Sequence, residues 1–362
     1  MIPYLLIFLL AFIVYWQKNQ NSKPLYYFFM VCCILFVGSR DMIGGFDVYI
    51  YGEVFESYTT PQIFFISFFE KGYILYNVLI QKLVSDRYYF FFITALLTIW
   101  AHFGAIKKLS PLLFFSLFIY FCKFFLMSFV YVRQFLAMGI IWWALVLLVD
   151  KKRLIPILMI VVAYFFHKSS ILFLPMIFLL NVKLSKNQMI FLIFGVFVIF
   201  LSPVGNLLLS VLAENSDNEK LAYYTDKAGS INFLYVIEGL LLSYVAYIYK
   251  NAFYNNPKTT IIFNGFLIYI VITIVAVTNG TYARFSWYFF IFIILGLPYI
   301  YLYINNLKEK KIFRLVVFLY FAILLVRMLF VWDNGDLMPY KAFYMDTERH
   351  GKFEFMEYRN HR

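Results

Sequence analysis

"LYYFFMVCCILFV" (25–37) runs straight into "GSRDMIGGFDVYIYGEVF" (38–55). The first stretch fits wholly in lipid. The second puts Arg40, Asp41, a Gly–Gly pair, Asp47 and two tyrosines, Tyr49 and Tyr51, at its mouth. The rest of the chain shares the first character: of 362 residues, 64% are hydrophobic, 23% aromatic and 14% charged, with a mean hydropathy of +0.80. Soluble domains are about 45–50% apolar and about 25% charged. A soluble fold of this composition has too little polar surface to cover its core. Residues 25–37 therefore belong to one of many membrane spans, and the fold class is an all-α polytopic membrane protein.

A helix needs about 20 residues to cross the hydrocarbon. Apolar segments suited to this lie at 2–16, 25–39, 88–106, 111–127, 128–149, 154–167, 169–181, 189–212, 232–250, 260–279, 284–304 and 314–331, twelve in all. The first, "IPYLLIFLLAFIVYW", lacks the basic start and small-residue cleavage site of a signal peptide. Lys18 and Lys23 follow the first segment, and Lys107 and Lys108 the third. Lys151, Lys152 and Arg153 follow the fifth, Lys183 and Lys186 the seventh, and Lys250 and Lys258 the ninth. Lys308, Lys310, Lys311 and Arg314 follow the eleventh. Every second connection is thus basic, as the positive-inside rule requires. Both termini are then external. The stretch 63–84 is an interfacial or re-entrant helix, compatible with its Glu70, Lys71, Asn77 and Gln81. The expected organisation is one integral-membrane domain, 1–362. Its external parts are a segment at 40–87, a loop at 214–230 ("ENSDNEKLAYYTDKAGS") and a tail at 332–362.

The net charge of +12 falls in these short connections, which argues against a nucleic-acid partner. Cys32, Cys33 and Cys122 sit in apolar runs without disulfide or zinc spacing. No phosphate-binding loop, dinucleotide fingerprint, HExxH or GxSxG is present. What stands out is charge at membrane depth, which usually faces a cavity or a partner. Arg133, Lys123, Glu238 and Arg327 lie in external halves of spans. His167 and Lys168 form the tip of two short segments, and Arg284 opens another. Each has a bland reading. Arg284, Lys168 or Arg327 snorkels at a helix end, Glu238 pairs with a basic neighbour, and His167 is a core histidine. Yet Arg40, Arg133, His167 and Arg284 all fall on one side of the frame. Several arginines there call for an anion, and guanidinium binds phosphate in a planar, two-point fashion.

The segments carrying these residues are "SRDMIGGFDVYIYGEVF" (39–55), "FEKGYILYNVLIQKL" (69–83), "YVRQFLAMGIIWWAL" (131–145), "HKSSILFLP" (167–175), "YARFSWYF" (282–289) and "MPYKAFY" (338–344). In this order the chain resembles the EpsG/Wzy type of bacterial polysaccharide polymerase, which extends O-antigen, capsule or exopolysaccharide chains. The resemblance implies a GT-C-like membrane glycosyltransferase at the external face of the inner membrane. Donor and acceptor are glycans on undecaprenyl pyrophosphate; further partners are membrane lipids, a chain-length regulator and a flippase. The family's "R…G.D…Y" pattern falls on Arg40, Gly45, Asp47 and Tyr51, with Gly44 as an extra residue.

In the expected mechanism Arg133 and Arg284 hold the pyrophosphate and offset its developing charge, without cofactor or metal. Arg40 either joins them or is held by Asp47. His167 is the first candidate proton acceptor, Asp47 the second and Glu238 the third. Gly44 and Gly45 allow a tight turn or close approach to substrate. Tyr51, Lys168, Glu238 and Arg327 complete the expected substrate contacts, and Tyr340 covers the cavity. Two rivals remain: an O-antigen ligase, which would favour a larger late external loop, and a lipid-oligosaccharide flippase, which would favour paired halves. An acyltransferase lacks its His–Asp pairing.

Overall fold

The computed structural model of the chain describes residues 1–57, 69–179, 181–202, 204–205, 231–331 and 336–345. Regular structure among them is helical, without strands. Among the described residues six helices are long and apolar enough to cross a membrane: Arg87–Leu109, Val132–Val149, Phe233–Ala252, Pro257–Val275, Ala283–Tyr303 and Leu307–Val331. Six shorter apolar ones accompany them: Ile2–Trp16, Lys23–Gly38, Leu113–Phe124, Leu154–Tyr164, Lys168–Leu179 and Lys186–Leu201. The pattern is that of a multi-pass membrane protein, and the twelve helices fall on the twelve apolar segments of the sequence.

Local chemistry sets many of the helix ends. α5 (Arg87–Leu109) starts at Asp86, whose carboxylate accepts from Tyr88 N at 2.7 Å, and it ends on Lys107 and Lys108. Both ends thus complement the helix dipole. α10 (Lys186–Leu201) opens with a Ser185–Gln188 capping box. α12 (Pro257–Val275) opens with Asn256 accepting from Thr259 N at 2.9 Å and with Pro257 pre-setting the first turn.

The chain forms two compact units. The first comprises Met1–Leu147, Leu154–Ile171 and Ile304–Arg362. Here α2 (Lys23–Gly38) packs on α5, and α1 (Ile2–Trp16) on α2 and α6 (Leu113–Phe124). α15 (Leu307–Val331) closes on α6. Two short helices outside the spans, α3 (Phe46–Ser57) and α4 (Lys71–Gln81), pack on each other, and α3 also packs on α5. The second unit comprises Leu148–Arg153 and Leu172–Tyr303. Its hub is α12, which touches α9 (Met176–Leu179), α10, α11 (Phe233–Tyr249), α13 (Ala283–Ser286) and α14 (Phe290–Tyr303).

Burial separates central from peripheral spans. The apolar windows of Pro257–Val275 and Ala283–Tyr303 are 72% and 78% buried, those of Phe233–Ala252 and Leu307–Val331 only 11% and 22%. The outer faces of the peripheral pair carry Leu240, Leu241 and Tyr244, and Leu319, Ile323 and Val326. Apolar surface on that scale would be a liability in water and suits contact with lipid.

Several boundaries differ from the expected ones. The segments 154–167 and 169–181 become α8 (Leu154–Tyr164), a 3-10 turn (Lys168–Phe173) and α9, because Pro175 has no N–H to continue a helix. The segment expected at 314–331 starts earlier, at Leu307, because Asn306 accepts from Lys308 N at 2.9 Å and the basic run winds as helix. α4 has 11 residues and is too short to cross, which is compatible with either an interfacial or a re-entrant helix at 63–84. Residues 63–68 of that stretch, the loop 214–230 and residues 332–335 and 346–362 of the tail lie outside the described residues.

Candidate active site

Arg133 lies in the first turn of α7 (Val132–Val149). A cation there opposes the helix dipole, so the position favours an anion beside it. One is present: Arg133 Nη1 donates to Glu70 Oε2 at 2.5 Å, with side chains 18% and 12% exposed. Arg133 Nε donates to Tyr51 Oη at 3.1 Å. The guanidinium also lies over the rings of Phe69 and Tyr51, 4.5 and 5.6 Å from their centres. Two hydrogen bonds and two aromatic faces thus fix its plane.

Glu70 has a second contact. Its Oε1 accepts from Lys168 N at 3.4 Å, which brings in the turn carrying His167, whose Nδ1 pairs with Ser169 Oγ at 2.7 Å. This turn meets the start of α4 closely. Gly72 N and Tyr73 N both donate to Phe165 O, at 2.9 and 3.2 Å. A Cβ at Gly72 would lie 2.7 Å from that oxygen, so the approach requires glycine. Burial alone would raise the Glu70 carboxyl, but the guanidinium of Arg133 and the imidazole of His167 hold it below the usual carboxylate range. Burial raises the Tyr51 phenol, with Arg133 acting against it.

α3 carries Tyr51 and is fixed at both ends. At its start Gly44 and Gly45, with φ of 118° and 105°, turn their N–H groups onto Asp336 Oδ2 at 2.9 and 2.6 Å. Only glycine takes such angles readily, which gives the extra Gly44 a role: successive amides form an anion-binding nest. Near its end Glu56 and Glu53 pair with Arg87, the first residue of α5. Gln81 Nε2 donates to Phe55 O at 2.8 Å. Beside the site, α4 and α8 frame a cavity of about 380 Å³ lined by Leu75, Leu79, Val162, Phe165 and Phe166, with Lys71 on its wall.

The structure therefore brings together Arg133, Tyr51, His167 and Lys168, with Gly44 and Gly45 behind them. Arg40 has other partners. It is 2% exposed, donates to Val37 O at 3.0 Å and Phe129 O at 2.5 Å, and stacks on Phe91 and Phe129. Burial lowers its pKa to about 10, so it stays charged at neutral pH. Asp47 is exposed on α3 and forms no ion pair with Arg40; the carboxylate next to Arg40, Asp41, pairs with Lys341 at 3.1 Å. Tyr340 donates to Phe36 O at 2.7 Å and packs against Phe36 and Tyr4. Arg327 is exposed on α15. Arg284 and Glu238 belong to the second unit. Arg284 is half-buried on α13, and Glu238 accepts from Tyr269 Oη at 2.8 Å. No group of three or more His, Cys, Asp or Glu suited to a metal occurs among the described residues.

Two residues at the centre of this geometry escape a reading of spans and arginines, Glu70 and Asp336. Glu70 does carry a signal: it is the one carboxylate between Glu56 and Asp86. Asp336 has none, since its partners lie at the far end of the chain.

A family model described as the EpsG family matches residues 25–342. No curated protein and no solved structure matches the chain. The matched span runs from within α2 through α15 and takes in each of the residues assembled around Arg133. The chain belongs to the EpsG family, that of the Wzy/EpsG-type polysaccharide polymerases.

Proposed function

We propose that this EpsG-family chain is a membrane glycosyltransferase that joins lipid-pyrophosphate-linked oligosaccharide repeat units into O-antigen or a related surface polysaccharide. In this reading the lipid is undecaprenyl, the membrane is the bacterial inner membrane, and the reaction face is external. The twelve apolar segments thread the membrane in a GT-C-like arrangement with both termini outside, α8 and Lys168–Leu179 being too short to cross fully, so that the His167–Lys168 turn between them is sunk below the external surface. The observation that carries the proposal is Arg133, a guanidinium beside two neighbouring aromatic rings at the largely buried start of a span and already bound to a carboxylate. That is a built place for an anion at membrane depth, and the charge a pyrophosphate leaving group develops is what it would offset.

The chemistry is one displacement. An acceptor hydroxyl forms a bond to the donor's anomeric carbon, the bond from that carbon to pyrophosphate oxygen breaks, and the lipid pyrophosphate leaves with the electron pair. Arg133 stabilises the leaving anion without a metal. The hydroxyl proton passes to His167, whose ring is oriented by Ser169. Lys168 stands exposed at the rim, and the apolar cavity between α4 and α8 takes part of the lipid tail.

The test is a deletion strain complemented with Arg133→Ala. Loss of long chains with single-repeat glycans retained, at normal protein level, supports polymerisation. Normal long chains overturn the reading. Loss of single-repeat glycans as well overturns it in favour of a ligase or flippase.

A further inference from the structure

The guanidinium of Arg133 has two edges that present a pair of parallel N–H donors, Nη1 with Nη2 and Nε with Nη2. Each edge has one donor already engaged. Glu70 Oε2 holds Nη1 at 2.5 Å and Tyr51 Oη holds Nε at 3.1 Å. A phosphate that binds by two points must therefore displace one of these groups. Tyr51 is neutral and also stacks on the guanidinium; Glu70 is an anion that repels phosphate.

Glu70 also has somewhere to go. Its other oxygen already accepts from Lys168 N at 3.4 Å, on the turn that carries His167. The carboxylate bridges two anchors and can release one while keeping the other.

We infer that Glu70 is an internal stand-in for the substrate's phosphate, occupying Arg133 in the empty protein and swinging to the His167–Lys168 turn when the pyrophosphate binds. This rests on the function proposed above and adds a residue that controls the anion site. Glu70 acts through Arg133 and is a positioning residue. The device shields a buried guanidinium from stray anions and makes binding depend on a ligand strong enough to compete. The low carboxyl pKa of Glu70 agrees with a group kept ionised for that role.

Competition has a quantitative signature. Apparent affinity falls by the fraction of time the site is available, so an Arg133 engaged nine-tenths of the time binds about 10-fold more weakly. The experiment measures binding of inorganic pyrophosphate and of farnesyl pyrophosphate to the full-length protein in detergent, for wild type, Glu70→Gln and Arg133→Gln. Glu70→Gln is expected to bind both probes about 10-fold more tightly than wild type, and to polymerise more slowly at saturating substrate. Arg133→Gln is expected to lose binding, with or without Glu70→Gln. If Glu70→Gln binds no more tightly than wild type while Arg133→Gln loses binding, the stand-in role is overturned and the proposed function stands. If Arg133→Gln binds as wild type does, the function proposed for this site falls, and the inference with it. Should Glu70→Gln not accumulate, Glu70→Asp withdraws the same charge by one methylene; tighter binding supports the inference and unchanged binding overturns it.

Discussion

Arg40 and Arg133 are arginines of one unit with opposite surroundings. Arg40 ends its charge on backbone carbonyls, Val37 O and Phe129 O, and on the faces of Phe91 and Phe129, at 2% exposure. Arg133 ends its charge on side chains, Glu70 and Tyr51, and keeps 18% exposure. Carbonyls fixed in the fold cannot move aside for a ligand, whereas a carboxylate on a rotatable stem can. The difference teaches that burial and charge do not identify a binding arginine; the mobility of its partner does. Arg40 joins the loop after α2 to the 3-10 turn at Met127–Phe129, whereas Arg133 is paired with a side chain that the proposal has exchange for substrate.

The largest expected effect tests the Arg133 side. Arg133→Ala should lower polymer formation by at least about 100-fold, the scale of losing a transition-state donor, with normal protein level by immunoblot. Arg133→Lys should do nearly as badly, because ammonium is a point charge without the fork. Wild-type chain length from either variant breaks the comparison.

Arg40→Ala should act through stability, costing about 2–4 kcal/mol for the cavity and the two orphaned carbonyls, read as a lower unfolding midpoint in detergent. Activity per folded molecule should be unchanged. A variant with wild-type stability and no activity would move Arg40 to the substrate side.

Asp336→Asn should cost about 1–3 kcal/mol by weakening both contacts to Gly44 and Gly45. If the nest aims α3, the substrate KM should rise along with that drop in the unfolding midpoint; an unchanged KM would show that the nest only holds the fold.

The smallest effect is in acid. The Glu70 carboxyl lies below its ordinary value in the folded protein. Its contribution is therefore present above the unfolded value, about 4.3, and is lost as pH falls through the folded value. The wild-type unfolding midpoint should thus drop more steeply below about pH 4.3 than that of Glu70→Gln. Parallel curves would show that the ion pair contributes nothing to the fold.

Hydropathy alone placed the apolar helices, because an uncharged run such as 25–37 admits few other structures. Caps such as Asp86 and Asn256 are local features that the reading of spans did not single out. Pro175 was visible, and it explains a break where a continuous segment was expected. The partners of the arginines were not readable. Arg133 and Glu70 are separated by 63 residues, and Arg40 and Phe129 by 89; nothing local reports such pairings. Charge at membrane depth showed that partners must exist. Which arginine is satisfied by the fold and which by an exchangeable group depends on three-dimensional packing.

The contact of Asp336 with Gly44 and Gly45 spans 292 and 291 positions. A ribosome delivers the glycine turn early and the aspartate that sets it late. During synthesis the start of α3 therefore waits, with its two amides pointing at an absent carboxylate, until nearly the whole matched region has entered the membrane. A nascent chain stopped before residue 336 would carry Arg133, Glu70, Tyr51 and His167 and still lack the clasp that aims α3. Assembly order thus delays this clasp until after the preceding membrane segments have been made.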